Sequence, residues 1–558
     1  MHMKHSPAFF SIAAAAVGIQ SANAHVARSD ADNAACRKTT VAILGGGMAG
    51  ITAATDTAKK QALSNNSITD FVIIEYNDRI GGRATQTNFG TKRDGSPYVV
   101  ELGANWVQGL GNPVGPENPV WTLAKKHSLE TVYSNYSSIL TYDETGYTDY
   151  RELLDEYDAA GTKASVRAGR MLAENIQDET ARAGLAMAGW NPRHSDMKRQ
   201  AVEWWKWDWE AALSPEDSSL IFGAASDNLT FHQFGEDNNL VIDPRGYRHI
   251  IEAEAATFLN DDDDDDRLLL KTQVTSITYS DHGVTIHNSD GSCVSAAYAI
   301  CTFSLGVLQN DAVAFNPQLP EWKRGAIRKF SMGTYTKIFM QFNETFWPKD
   351  AQYFLYASPT RRGYYPVWQS LSTEGFLPGS NILFATVVGD ESYRVEQQTD
   401  EQTKNEALEV LRQMFPNATV PEPLAFAYPR WTKTPWSYGS YSNWPIGTTL
   451  EMHQNLRANT GRLWFAGEAT SAEYFGFLHG AWFEGIEAGS QVAALLLEGK
   501  CAHVYDQTEC GSRRHYETLH GTSPLSSYNL LNGWATSSFD ASHGANAPLV
   551  GTPSRSRG

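Results

Sequence analysis

Hydrophobic positions along this chain fall into three patterns. Short unbroken apolar runs bounded by glycine or charged residues predict buried strands: Thr40-Val41-Ala42-Ile43-Leu44, Phe71-Val72-Ile73-Ile74 and Leu463-Trp464-Phe465. Residues 268–270, 274–279 and 283–287 also read as strands, with Asp281-His282-Gly283 at a hairpin, and 298–305 reads as a strand and turn. Alternation marks 334–342 as a further strand. Stripes at helical spacing predict helices: Ala407, Leu408, Leu411, Met414 and Phe415 share one face of 401–415, and 480–497 is rich in Ala and Gly. Residues 322–330 read as helix and 121–240 as mostly helical.

The strand at 40–44 meets Gly45, Gly47 and Gly50 at G-x-G-x-x-G spacing, and small residues then lead into a helix. Gly45 permits a sharp turn, Gly47 lets backbone approach a pyrophosphate, and Gly50 lets helix and strand pack closely. The helix start presents free N–H groups and a positive dipole end to phosphates. Glu75 ends the next strand, 25 residues past Gly50, where a carboxylate binds an adenosine ribose. This predicts a dinucleotide site. Asp78-Arg79-Ile80-Gly81-Gly82-Arg83 is either a plain loop or a second backbone approach, with Arg83 neutralising the pyrophosphate. Residues 99–106 read as a strand and a small-residue turn, where Gly103 and Ala104 leave room for a large ring against the main chain.

At 558 residues the chain needs at least two domains. A net charge of −18 argues against nucleic-acid binding and favours cationic small molecules. The 24 Phe, 24 Tyr and 16 Trp suit a pocket for a flat cofactor. Residues 1–24 read as a cleaved signal peptide: His2 and Lys4, an apolar core at 8–19, then Ala22-Asn23-Ala24. Secretion follows, with a start near His25, and Asn65, Asn135, Asn228, Asn343 and Asn417 stand in glycosylation sequons. Of the five cysteines, Cys501 and Cys510 are near enough to bridge, while Cys293 and Cys301 read as buried thiols. No metal-ligand spacing is present. The six aspartates at 261–266 read as a solvated loop, and residues 511–558 as a disordered tail.

The stretches V-A-I-L-G-G-G-M-A-G, I-I-E-Y-N-D-R-I-G-G-R and E-L-G-A-N-W-V-Q-G together resemble a flavin-dependent amine oxidase, most of all the polyamine oxidases of plants and fungi. The resemblance runs from about Thr40 to about Leu497. It implies an α/β fold: a Rossmann-like, glutathione-reductase-like FAD-binding domain from 38–110, 240–310 and 430–500, and an inserted α+β substrate-binding domain from 111–239 and 311–429. It implies FAD held by Gly45, Gly47, Met48, Ala49, Gly50, Glu75, Arg83, Gly103, Ala104, Asn105, Trp106, Val274, Trp431, Trp436, Glu468 and Phe477. Some relatives bond the flavin through a cysteine where this chain has Ser440, so FAD is expected to be non-covalent.

The resemblance also assigns the chemistry. Lys337 would hold a water beside the flavin N5, although a lone lysine in a strand more often sits at an edge or snorkels. Tyr441 and Phe477 would form an aromatic sandwich around the reacting C–N bond. Glu210 follows Trp204, Trp205, Trp207 and Trp209, a stretch that on its own reads as a buried aromatic helix. The family places acids at the positions of Glu210 and Gln108 to hold remote ammonium groups, so Gln108 is a departure. Tyr335 and Trp431 complete the expected wall. The implied reaction oxidises spermine, spermidine or acetylated forms at a secondary amine, with O2 as acceptor. The alternatives are a monoamine or L-amino-acid oxidase, or a secreted flavoprotein without turnover. Oligomeric state is left open, and neither nucleic acid nor membrane is an expected partner.

Overall fold

The computed structural model describes residues 35–62, 70–111, 116–174, 176–260, 265–498, 511 and 513–521. The expected signal segment, Asn65, Asp261 to Asp264, Cys501 and Cys510 lie outside the described residues.

Arg37–Leu44 lies parallel between Phe71–Ile74 and Cys293–Cys301 at the heart of an eight-stranded sheet. Leu268–Leu269 and Leu463–Phe465 extend the parallel part, and the hairpin of Val274–Ser280 and Gly283–Asn288, with Ala314–Asn316, forms the other edge. Both faces of the central strands are covered, which is why 41–44 and 71–74 are unbroken apolar runs. Helix Met48–Ala62 follows the glycine turn and packs on helix Leu478–Glu498. Gly485 and Gly489 make that contact: a Cβ there would stand 2.3 Å from the Ala49 oxygen and 2.5 Å from the Ala53 oxygen.

The second sheet has seven strands, in the order Ala425–Ala427, Tyr335–Gln341, Ile382–Val388, Val367–Ser370, Tyr353–Ala357, Ile139–Asp143 and Gly146–Tyr147. Its neighbours are antiparallel except Tyr353–Ala357 with Ile139–Asp143. Helix Asp400–Met414, started by a Thr399–Gln402 capping box, buries Ala407, Leu408, Leu411 and Met414 against it. Trp106–Gln108, Asn238–Val241 and Thr131–Tyr133 form a small sheet.

Residues 121–240 are mostly helical, as expected, but Thr131–Tyr133, Ile139–Asp143, Gly146–Tyr147 and Asn238–Val241 are strands. Asp143 and Gly146 (φ 111°) make the tight turn, and the pairing with Tyr353–Ala357 is over 200 residues distant, beyond any local pattern. Cys293 is no free thiol, because it is bonded to Cys36. Parallel pairing of Arg37 with Val294 sets the two preceding cysteines side by side. Cys301 is the buried thiol, pushed up to about 12 by burial. Residues 513–521 of the expected disordered tail pack on the body. Arg513 is buried and donates to the carbonyls of Arg457 and Phe465, and His515 stacks on Trp322 at 4.5 Å. Of the described end of the aspartate run, Asp266 is exposed as expected, while the side chain of Asp265 packs against the Arg267 guanidinium and is only 5% exposed.

Candidate active site

One cavity of about 770 Å³ runs from the glycine turn to the helices above the second sheet. Of the residues singled out from sequence, all line it except Gly50 and Lys337.

At the nucleotide end the work is done by backbone. Gly45 has φ 112°, and a Cβ there would meet the Thr302 hydroxyl at 2.5 Å. A Cβ on Gly50 would stand 1.9 Å from the Gly45 oxygen, so Gly50 serves the packing behind the turn and faces no ligand. Gly47 is different: its nearest atom would be Gly82 Cα, 3.8 Å away, which leaves its cavity side free. The Glu75 carboxylate is held by the Gly46 N–H at 2.7 Å and by the Asn77 N–H and side chain at 2.8 and 2.7 Å. Gly103 is needed for another reason than a ring: its Cβ would strike the Arg83 oxygen at 1.7 Å. Ala104 and Asn105 follow it into the cavity wall, with Trp431 and Trp436 in edge contact at 5.9 Å and Val274 at a strand start.

Arg83 is only in part a free phosphate partner. Its guanidinium donates to Glu468 at 2.7 Å and to the Ser440 carbonyl at 2.9 Å. Glu468 also accepts from the Ser442 hydroxyl at 2.6 Å and the Gly476 N–H at 2.8 Å. This carboxylate therefore ties three separate segments, at Arg83, Ser442 and Gly476, into one wall. The buried Asn105 side-chain oxygen lines the cavity without a hydrogen-bond partner, an acceptor for a donor brought by a ligand. The donor set, the open face of Gly47 and the aromatic walls fit FAD. No cysteine lines the cavity among the described residues, and Ser440 Oγ instead accepts the Tyr335 N–H at 2.8 Å, so no thioether holds the flavin.

At the other end the side chains act. Lys337 is 1% exposed in strand Tyr335–Gln341, which rules out snorkelling. Its ammonium donates to the Gly103 carbonyl at 2.5 Å and lies 5.6 Å from the Trp106 ring. Burial drives its pKa down, and the nearby Glu101 carboxylate opposes that. Glu101 is itself driven up by burial, against the Tyr247 N–H and Lys337. The sequence argument that Lys337 needs a buried partner holds: the Gly103 carbonyl is that partner, and the Glu101 carboxylate acts on it through its charge alone. Unlike Glu75, Glu101 stands at no characteristic spacing from a glycine turn, so nothing in the sequence assigned it a role.

Glu210 sits where helix Met197–Glu203 has run through a π-helical turn, Trp204–Asp208, into Trp209–Ala211. The wide turn brings Lys206, Trp207, Trp209 and Glu210 to the cavity together. Gln108 donates to the Glu210 carboxylate at 3.0 Å, and the Tyr441 hydroxyl donates to its main-chain oxygen at 2.9 Å. Burial raises Glu210 to about 8; Asp227 adds to the rise and Gln108 opposes it. Tyr441 lies against Tyr335 at 6.0 Å. Phe477 stacks on His479 at 5.0 Å, and burial lowers His479 to about 3, so this support is a neutral ring. His479 in turn meets Asn118 and Thr230.

Residues 48–493 match the model of the flavin containing amine oxidoreductases, and the chain belongs to that family. It is 38% identical over 471 residues to polyamine oxidase 1 of Zea mays, covering 80% of this chain and 89% of the relative. It is 38% identical over 466 residues to polyamine oxidase 7 of Oryza sativa subsp. japonica, covering 80% and 93%. Among solved structures, a wild-type putrescine oxidase bound to putrescine shares the fold, with TM-score 0.62 at 18% identity over 82% of this chain and all of that one. The chain is an FAD-dependent amine oxidase with a Rossmann-like cofactor domain and a substrate-binding domain.

Proposed function

We propose that this oxidase acts on polyamines, cleaving a C–N bond at a secondary amine to give an aldehyde, a shorter amine and H2O2. The observation that carries the reading is the charge of the cavity. Among the described lining residues are six carboxylates, Glu75, Asp158, Glu210, Asp227, Glu236 and Glu468, against two cations, Arg83 and Lys206. Both cations are already paired, with Glu468 and Asp158. A carboxylate substrate such as an amino acid finds no free cation there among the described residues; a chain of ammonium groups finds acids and the rings of Trp207, Trp209, Tyr335 and Tyr441. The names of the curated relatives support the same substrate class.

Bound FAD supplies the oxidant, taking hydride from the carbon beside the amine nitrogen and delivering the electrons to O2. The chain's own residues do the rest. Tyr441 and Phe477 confine the C–N bond between two rings. Glu210 takes a remote ammonium and ionises as it does so, which aligns the chain with an uncharged amine at the reacting end. Lys337, reaching the site through a water, serves O2 reduction or hydrolysis of the oxidised amine. Glu101 and the Gly103 carbonyl hold that ammonium in place.

The protein is further read as secreted and glycosylated. The Cys36–Cys293 disulfide suits an oxidising compartment, and Asn343 and Asn417 are exposed. A mass shift on deglycosylation and a start near His25 are expected. For the reaction, mass spectrometry of products from spermine and its acetylated forms, with anaerobic bleaching of the flavin, is the test. Flavin that stays oxidised with every polyamine while an amino acid bleaches it would overturn the reading.

A further inference from the structure

We propose that Lys206 and Asp158 form a displaceable ion pair on the outer ammonium site of the cavity, so that a long polyamine must exchange one of its own ammonium groups for that of Lys206. The inference deepens the polyamine reading and rests on it. Lys206 stands four residues before Glu210 on one continuous helical stretch, and both line the cavity. In this widened turn four residues fall just short of one full turn, so the two side chains leave neighbouring positions on one side of the helix, on the order of 5–6 Å apart. Adjacent nitrogens in a polyamine are separated by four or five single bonds of about 1.5 Å, roughly 5–6 Å when extended. The inner position belongs to Glu210, fixed by Gln108 and by Tyr441. One ammonium step outward the helix presents a cation where a second carboxylate is wanted.

That cation does not act alone. Lys206 Nζ lies 2.8 and 2.9 Å from the two carboxylate oxygens of Asp158, on helix Glu152–Ala173 across the cavity. Lys206 is 28% exposed and Asp158 54%, so water already competes for both. An exposed pair of this kind is weakly held. A substrate ammonium can therefore take Asp158 while Lys206 swings to solvent, with no change in net charge. A substrate capped by an acetyl group at that end gains nothing from the exchange. Asp227 and Glu236 add negative charge to the same lining and favour the incoming cation. The pair thus lowers the advantage of long, fully charged amines over short or capped ones.

Steady-state kinetics of the FAD-loaded protein with spermine and with spermine acetylated at both ends test this. Lys206→Met is expected to lower KM for spermine about two- to fivefold at low salt, an effect that shrinks as salt rises. KM for the diacetylated form should stay put. Asp158→Asn should raise KM for spermine and erase the gain when combined with Lys206→Met. The change should fall on KM rather than kcat, which a general loosening of the fold would not produce. Lys206→Gln serves as a second variant if the methionine form fails to fold. A spermine-to-diacetylspermine KM ratio that Lys206→Met leaves unchanged overturns the proposal while leaving polyamine oxidation standing. A wild-type protein that oxidises neither amine overturns the polyamine reading itself.

Discussion

The two ends of the cavity are built on opposite principles. At the nucleotide end, selectivity comes from backbone: a turn with φ 112° at Gly45, an open face on Gly47, and a carboxylate, Glu75, pinned by main-chain N–H groups. At the amine end it comes from ionisable side chains held out of water: Lys337 with Glu101, and Glu210 with Gln108. Backbone geometry costs nothing electrostatically and tolerates no added atom. Buried charges tolerate changes of shape but depend on each partner. The first end should therefore fail through sterics and the second through pH and charge.

The largest effect is expected at Lys337. Lys337→Met keeps length and removes the ammonium, and it should fold and keep FAD. A group that moves or orients a proton contributes about 10²–10⁴-fold, and a loss of that order is expected in at least one half-reaction. Stopped-flow separates flavin bleaching by spermine from reoxidation by O2. Both steps at wild-type rate in a loaded variant would reduce Lys337 to a structural lysine tied to the Gly103 carbonyl.

A pair of glycine variants tests the steric half. In Gly50→Ala the new Cβ would overlap the Gly45 oxygen, so helix and strand must part, at a cost of about 1–3 kcal/mol as in other overpacked sites. In Gly47→Ala the Cβ has room within the protein and intrudes only on the ligand's side. Chemical unfolding of the flavin-free proteins should therefore separate them: Gly50→Ala destabilised, Gly47→Ala near wild type, and both weakened in FAD retention. Equal stabilities would show that the two glycines do not divide the work in this way.

This division explains what the sequence disclosed. A turn that binds through backbone must be local, so the glycine turn with its flanking strands at 40–75 was readable from period and spacing alone. So was the helix at 401–415, observed as Asp400–Met414, because one face is covered by a sheet. Side-chain sites assemble from distant segments. Lys337 meets Gly103 across 234 residues, and Tyr441 meets Glu210 across 231. Only resemblance to a family brought those residues forward, and it named no Glu101 or Asp158. The Cys36–Cys293 bridge failed for the same reason, being set by a parallel pairing 257 residues apart. Lys206 was masked by the tryptophans around it: Trp204, Trp205 and Trp209 are buried core as their pattern suggested, and of that stretch only Trp207 and Trp209 reach the cavity beside Lys206.

Glu210→Gln tests the electrostatic half. Losing a charged partner of this kind costs about 1–3 kcal/mol of binding, so KM for spermine should rise more than kcat falls. The pH dependence carries a sign. Burial raises Glu210 from 4.5 to about 8, so between those values the empty folded state holds a proton that the unfolded state has lost. Stability of the substrate-free protein should then fall as pH rises through that window, and Glu210→Gln should remove the fall. For the same reason kcat/KM in the wild type should rise as pH approaches 8 and the carboxylate becomes available, a limb absent from the variant. KM values within twofold for every amine tested, or an unchanged limb, would remove Glu210 from the substrate site.

The smallest effect expected is that of Gln108→Glu, which puts an acid where the resemblance leads one to expect it. Gln108 at present donates its amide to Glu210 at 3.0 Å, stabilising the charged form. Two carboxyl groups at that distance cannot both ionise freely, so the empty variant should keep one proton between them and preserve the hydrogen bond as O–H to oxygen. An arriving polyamine ammonium neutralises the pair and releases that proton. KM for spermine should fall by about two- to fivefold, because most of the added attraction is offset by the cost of desolvating a second carboxyl group, and proton uptake and release on binding should become measurable by calorimetry in buffers of different ionisation enthalpy. The rising limb of kcat/KM should also move to higher pH, because the shared proton is harder to remove than that of Glu210 alone. If instead KM rises and the limb moves to lower pH, the amide of Gln108 is the better partner, and the amine end relies on a single well-held carboxylate supplemented from the outer pair.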